Sequence, residues 1–187
     1  GLKLGAHPPE IMKSLLLNAG ARGMGSTAHL DQAGVIQMNA IKAARLGLGT
    51  VTHFYGHFES LLKDYVVQRY PVTQNYNNEQ DRFGQAGRLW KQAAPRGSEK
   101  YESVIKELLQ LDFTLDPTFT IYLAWRDLMR ARRADWHDEY TLPQLWDFYT
   151  PNPENHGSFF FDWGTQDEVA WRENYQLWMS FVNDYKN

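Results

Sequence analysis

The sequence G-S-T-A-H at residues 25–29 and the sequence G-T-V-T-H at residues 49–53 decide the fold, because each predicts a short strand that ends in a histidine. Small and β-branched residues dominate both segments, as they do in strands. Between them, Ala33 to Leu46 carries apolar residues on one side and polar residues on another, which predicts a helix. We expect Asp31 to cap this helix and Gly47 to end it. Together the three elements predict a β-α-β unit with parallel strands.

His29 and His53 are the candidate site residues of this unit. Parallel strands joined by a right-handed crossover end at the same edge of a sheet, so we expect both imidazoles at its carboxyl-terminal edge. Ligands and chemistry lie at this edge in parallel α/β sheets, and imidazole is the commonest neutral metal ligand. A single histidine at a strand end is more often structural. Two at matching ends, with Lys3 on the preceding strand, favour a site.

The flanking sequence extends the same alternation of strand and helix. A strand at Gly1–Gly5 leads into a helix whose first turn contains Pro9, where the missing amide hydrogen costs nothing. Ser98 is expected to cap another helix, which leads to a fourth strand at Phe113–Asp116. A closing helix is expected at Glu168–Tyr185. This order of elements predicts the α/β class with a parallel sheet.

Composition limits the possible partners. The 187 residues are 43% hydrophobic and 22% charged, with a formal net charge of −3, so there is no general attraction for nucleic acid. No apolar run reaches the roughly 20 residues that span a bilayer, so a membrane is not an expected partner either. The sequence contains no cysteine, which excludes disulfides and thiolate metal sites but leaves the cell compartment open.

Four segments together resemble the later strands of a metal-dependent amidohydrolase. They are G-L-K-L-G at 1–5, G-S-T-A-H at 25–29, G-T-V-T-H at 49–53 and T-L-D-P-T at 114–118. The sequence is most similar to the imidazolonepropionase-like and prolidase-like branch, and the similarity is strong from Gly1 to about Phe58. The resemblance implies strands four to seven of a (β/α)8 barrel, part of a TIM barrel with parallel strands, helices outside and long helical insertions after the strands.

The resemblance implies a single domain over residues 1–187. Its core units are residues 1–58 and 98–122, and residues 59–97 and 123–187 are insertions. The family also needs a His-x-His pair on its first strand and an aspartate on its eighth, and the sequence has no His-x-His. We therefore expect the chain to be an incomplete portion of the enzyme, with the catalytic aspartate outside it. The remaining barrel strands or an oligomeric partner would complete it.

The resemblance implies roles for five residues. Lys3, once carboxylated, would bridge two metal ions, and His29 and His53 would be metal ligands. Tyr55 and His57 follow the second histidine, where substrate contacts are expected; packing at the start of a helix is an equally good interpretation. The implied cofactor is one or two Zn²⁺ ions, or another divalent metal. The implied activity is hydrolysis of an amide or cyclic amide, including dipeptides, by metal-activated water.

Two alternatives stay open. Seven tryptophans and ten tyrosines, with acidic residues nearby, could form a carbohydrate-binding platform or a glycoside-hydrolysing domain. Sugar hydrolysis would need two carboxylates about 5 to 9 Å apart, and core packing is the favoured interpretation of the aromatic residues. The other alternative is a non-catalytic assembly fragment. Zinc binding that depends on the two histidines would distinguish the hydrolase, and sugar binding lost on tryptophan substitution would distinguish the carbohydrate protein.

Overall fold

Four short parallel strands form one sheet in the structure, a computed structural model that describes residues 1–31, 34–35, 37–62, 70–75, 78–148, 150–155 and 158–186. The strands are β1 (Leu2–Leu4), β2 (Ser26–Ala28), β3 (Thr50–Thr52) and β4 (Thr114–Asp116). They lie in the order β1-β2-β3-β4, and each neighbouring pair is parallel. The predicted α/β class with a parallel sheet is confirmed.

Ten α-helices are found among the described residues. They are α1 (Pro9–Gly20), α2 (Ala40–Arg45), α3 (His57–Ser60), α4 (Glu79–Ala86), α5 (Glu99–Gln110), α6 (Phe119–Arg126), α7 (Leu128–Arg132), α8 (His137–Tyr140), α9 (Pro143–Phe148) and α10 (Thr165–Lys186). The helices predicted after Pro9, after Ser98 and near the end of the chain are confirmed. Within the described residues, no helix has the length and apolarity needed to cross a membrane.

The helix between β2 and β3 is shorter than the sequence predicts. It begins at Ala40 rather than at Ala33, which lies outside the described residues, and Asn39 rather than Asp31 is its N-cap. The Asn39 side chain accepts a hydrogen bond from the Lys42 amide at 3.0 Å. This cap satisfies a first-turn amide that has no partner within the helix. The end of the helix agrees with the prediction, because Gly47 follows it with φ at 96°.

The chain divides into two compact units, which we call unit 1 and unit 2. Unit 1 contains Gly1–Arg69, Trp90–Thr118 and Trp178–Asn187, and therefore the whole sheet. Unit 2 contains Tyr70–Leu89 and Phe119–Leu177. Residues 1–58 and 98–122 were expected to form the core. Residues 1–58 lie in unit 1, and so do residues 98–118 of the second segment.

The two faces of the sheet in unit 1 have different chemistry. The strand register aligns one row of polar side chains across all four strands: Lys3, Thr27, Thr50 and Thr114. The next row on that face contains Thr52 and Asp116, which are paired in register. On the opposite face, Leu4, Ala28 and Val51 are buried. Parallel sheets are usually apolar on both faces, so a polar face indicates a candidate site.

Aromatic residues form much of the core in both units. In unit 1, the Phe54, Phe58, Trp178 and Phe181 side chains are fully buried. In unit 2, Trp171 is fully buried, and its ring centroid lies 4.6 Å from that of Trp125. The packing interpretation of the tryptophans is therefore confirmed for these buried side chains.

Gly56, in the turn that begins α3, has φ at 90° and almost no space for a side chain. A Cβ there would lie 2.4 Å from Leu30 Cδ1 and 3.0 Å from the Ala40 amide nitrogen. We expect Gly56→Ala to lower the free energy of unfolding by about 2–4 kcal/mol, since a left-handed backbone and overpacking both add cost. The matched control is Gly23→Ala, where φ is 64° and no atom lies within 4 Å. Urea denaturation of both variants is the test, and equal losses would contradict the packing argument.

Candidate functional site

The backbone of the sheet holds His29 and His53 at its carboxyl-terminal edge. His29 follows β2, and its amide donates a hydrogen bond to the Leu4 carbonyl at 3.1 Å. His53 follows β3, and its amide donates to the Asp116 carbonyl at 3.0 Å. Each hydrogen bond continues a parallel ladder one residue beyond the strand. The positions of both histidines are therefore fixed by the sheet itself.

The structure brings the two histidines together with Tyr55. The ring centroids of His29 and His53 are 4.9 Å apart, and the ring planes are 80° from each other. The Tyr55 ring lies 5.8 Å from His29 and 6.2 Å from His53. Both imidazoles are half-buried, whereas Tyr55 is buried. Three of the five predicted site residues thus form one cluster.

Thr118 also contacts this cluster, although no role for it was predicted from the sequence. Its Oγ1 lies 2.8 Å from His53 Nδ1, which is a hydrogen bond. Thr118 and His53 both have positive φ, at 50° and 73°. A β-branched residue in this region is a genuine outlier, and such strain is concentrated at functional sites. The signal available in the sequence was a polar residue just after the fourth strand.

The surroundings of His53 keep its imidazole neutral at pH 7. Burial, with the neighbouring charges of His29 and Lys3, lowers the pKa of His53 to about 4, although the Asp116 carboxylate acts in the opposite direction. The neutral imidazole is the form that binds a metal ion. Lys3 and Asp116 are thus charged side chains that influence the pKa of His53.

Lys3 and Asp116 are exposed on the polar face of the sheet, on its two edge strands. Lys3 is aligned with Thr27, two residues before His29 along β2. It therefore lies one row deeper in the sheet than the histidine. Among the described residues, no group of three His, Cys, Asp or Glu side chains is arranged to hold a metal ion. A metal centre built from the described residues at this edge would need a donor of another kind beside the two imidazoles.

The structure does not bring His57 to the cluster. Its side chain is fully buried in unit 1, and its ring lies 5.3 Å from Trp178, 5.8 Å from Phe181 and 6.0 Å from Phe113. Within the described part of the chain, neither ring nitrogen has a hydrogen-bond partner. Burial lowers the pKa of His57 to about 3. This environment fits the packing interpretation of the residue.

Comparisons of the chain with protein-family models, with curated proteins and with solved structures found no match. The resemblance to amidohydrolases therefore stays a prediction. Function has to be argued from the geometry of the histidine cluster.

His57 should make the protein sensitive to acid. Because its pKa is about 3 when folded and about 6.5 when unfolded, the unfolded state binds more protons between these values. Stability is therefore lost as the pH falls below 6.5, by up to about 1.4 kcal/mol per pH unit from this residue. We expect His57→Phe to reduce this loss, since a phenyl ring suits the aromatic pocket and cannot be protonated.

The test of the acid sensitivity is urea denaturation of wild type and His57→Phe at pH 7.5 and at pH 5. His7→Ala is the matched control, because His7 is a partly exposed histidine of the same unit. The same acid loss in wild type and His57→Phe would show that His57 is not the group responsible.

Proposed function

We propose that this chain carries the metal-binding histidine pair of a hydrolase that cleaves amide or cyclic amide bonds. The observation that carries the proposal is the 4.9 Å separation of the His29 and His53 rings at the carboxyl ends of adjacent parallel strands. Two imidazoles at this distance can bind one cation. A metal site is also consistent with the edge of the sheet at which they lie.

The chemistry of the surrounding groups fits a divalent cation. His53 is neutral, and its Nδ1 is hydrogen-bonded to Thr118. A metal-binding histidine almost always uses its other ring nitrogen in such a bond. Lys3 lies on the same polar face, and carboxylation of its amine would replace a cation with an anionic oxygen donor. His29, His53 and carboxylated Lys3 are the ligands that we propose.

The proposed substrates are small amides, cyclic amides or dipeptides. A bound divalent cation supplies activation of water and polarisation of the amide carbonyl. His29 and His53 would hold the cation, and the Tyr55 ring beside them would limit the space at the edge of the sheet. The polar row of Lys3, Thr27, Thr50 and Thr114 lies below this point and offers hydrogen-bonding groups rather than an apolar floor.

Metal content tests the proposal directly. We expect the chain purified without chelator, then equilibrated with zinc and dialysed, to retain zinc near stoichiometry by elemental analysis. His29→Ala and His53→Ala should each lose it, because a single imidazole leaves too few ligands. His7→Ala is the control for unspecific histidine binding. Wild type without retained zinc, or retention by both site variants, would refute the proposal.

Lys3→Arg tests whether Lys3 acts as a carboxylated ligand or as a free amine. Arginine keeps the positive charge on a side chain of similar reach, but it does not form a stable carbamate. We expect Lys3→Arg to bind zinc more weakly than wild type, and added bicarbonate to strengthen zinc binding only in wild type. Equal zinc affinity in both proteins would remove Lys3 from the ligand set.

A second candidate function, carbohydrate binding, is supported by an exposed aromatic cluster in unit 2. Trp136 and Tyr140 are 55% and 78% exposed, and the Trp136 and Trp146 rings lie 3.8 and 4.7 Å from His137. Exposed aromatic rings of this kind can stack on sugars. Titration calorimetry with α- and β-glucan oligosaccharides tests it. Binding that is lost in Trp136→Ala and retained in His29→Ala would support this function over the hydrolase.

A further inference from the structure

The hydrogen bond between His53 and Thr118 joins two strained residues. Among the described residues, the non-glycine residues with positive φ are His53, Asp112 and Thr118, and two of these three contact each other. Threonine is poorly suited to this conformation, because its branched Cβ crowds the backbone. Glycine or asparagine would adopt the same backbone at lower cost. Threonine differs from glycine in that it also supplies a hydroxyl group for the hydrogen bond to His53.

The two residues before Thr118 are both held by hydrogen bonds within unit 1. The Asp116 carbonyl accepts a hydrogen bond from the His53 amide. The next carbonyl, that of Pro117, accepts one from the indole nitrogen of Trp178 at 2.9 Å. Trp178 is fully buried, so this anchor is part of the core. The fold therefore sets the position of the Thr118 side chain before any ligand is present.

The direction of this hydrogen bond decides which nitrogen of His53 can bind a cation. A neutral imidazole has one N–H group and one lone pair. If Nδ1 donates to the threonine oxygen, the lone pair lies on Nε2. If the threonine hydroxyl donates to Nδ1 instead, Nε2 carries the hydrogen and cannot be a ligand. The tautomer is therefore a functional property of the pair.

We propose that Thr118 is a positioning residue that accepts a hydrogen bond from His53 Nδ1 and so fixes the lone pair on Nε2. This inference rests on the proposed function, since the purpose of the fixed tautomer is to present a ligand beside His29. The tautomer itself exists without a metal ion and can be measured in the metal-free protein.

Three substitutions of Thr118 distinguish the effect of its hydroxyl group from the effect of its strained backbone. Thr118→Val keeps the β-branch and the strain but removes the acceptor. Thr118→Ser restores the hydroxyl. Thr118→Gly removes both the hydroxyl and the steric conflict at φ of 50°. Glycine adopts this backbone conformation readily, so the backbone itself should not lower the free energy of unfolding in this variant. A purely structural role would make Thr118→Gly behave like wild type.

The first measurement is nitrogen-15 NMR of the histidine rings in metal-free protein at pH 7.5, with the His53 signals assigned from His53→Gln. We expect wild type and Thr118→Ser to show a protonated Nδ1 and an unprotonated Nε2. Thr118→Val and Thr118→Gly should show a mixture of both tautomers. A protonated Nε2 in wild type, or the wild-type pattern in Thr118→Val, would overturn the inference.

The second measurement is zinc affinity by competition with a chromogenic chelator. We expect Thr118→Val and Thr118→Gly to bind zinc about 10- to 100-fold more weakly, as when other groups that orient a metal ligand are removed. Thr118→Ser should recover most of the affinity. Unchanged zinc affinity in Thr118→Val would overturn the positioning role.

The two measurements can refute the proposed function and the role of Thr118 separately. Absence of zinc binding in wild type with a protonated Nδ1 would refute the proposed function while supporting the tautomer that we assign. Zinc binding in wild type with a protonated Nε2 in the metal-free protein would support the function and refute the role of Thr118.

Discussion

Parallel pairing of four three-residue strands is the constraint on which the candidate site depends. Because parallel strands end at one edge, the residues that follow β2, β3 and β4 meet there although they are far apart in sequence. Each strand contains only three residues, and the amides of His29 and His53 add one further hydrogen bond to the ladders between the strands. The candidate site residues are therefore also structural residues, and their backbone cannot move without loss of sheet hydrogen bonds.

His53 combines a strained backbone with a place in the candidate site. A regular continuation of β3 would direct its side chain to the face of Val51, which is buried and apolar. The positive φ of His53 departs from that pattern, and its ring lies beside His29 and Tyr55. This departure is accompanied by the hydrogen bond to Thr118, which lies two residues beyond the end of the neighbouring strand β4. The site is therefore a local exception to the alternation that forms the rest of the sheet.

Much of this arrangement could be predicted because its signals are local. Glycine and β-branched residues identify β2 and β3, and the position of a histidine after each strand identifies the edge of the sheet. The start of α2 could not be predicted, because Asp31 and Asn39 are both good caps and only the surrounding turns select one of them. Thr118 was missed for another reason: its partner lies 65 residues away along the chain. The environment of His57 depends likewise on Trp178 and Phe181, which no local pattern connects to it.

The contribution of α10 to unit 1 has a consequence for how the protein is made. The aromatic pocket around His57 is closed by Trp178 and Phe181, and the contacts of Trp178 with Phe54 and Phe58 join distant parts of the sequence. Contacts of this kind raise the contact order, and their loop-closure entropy has to be overcome before they contribute stability. During synthesis the sheet strands therefore leave the ribosome long before the residues that seal their core. Until α10 docks, apolar surface stays exposed, and this is the period in which a chain of this design is most prone to aggregate.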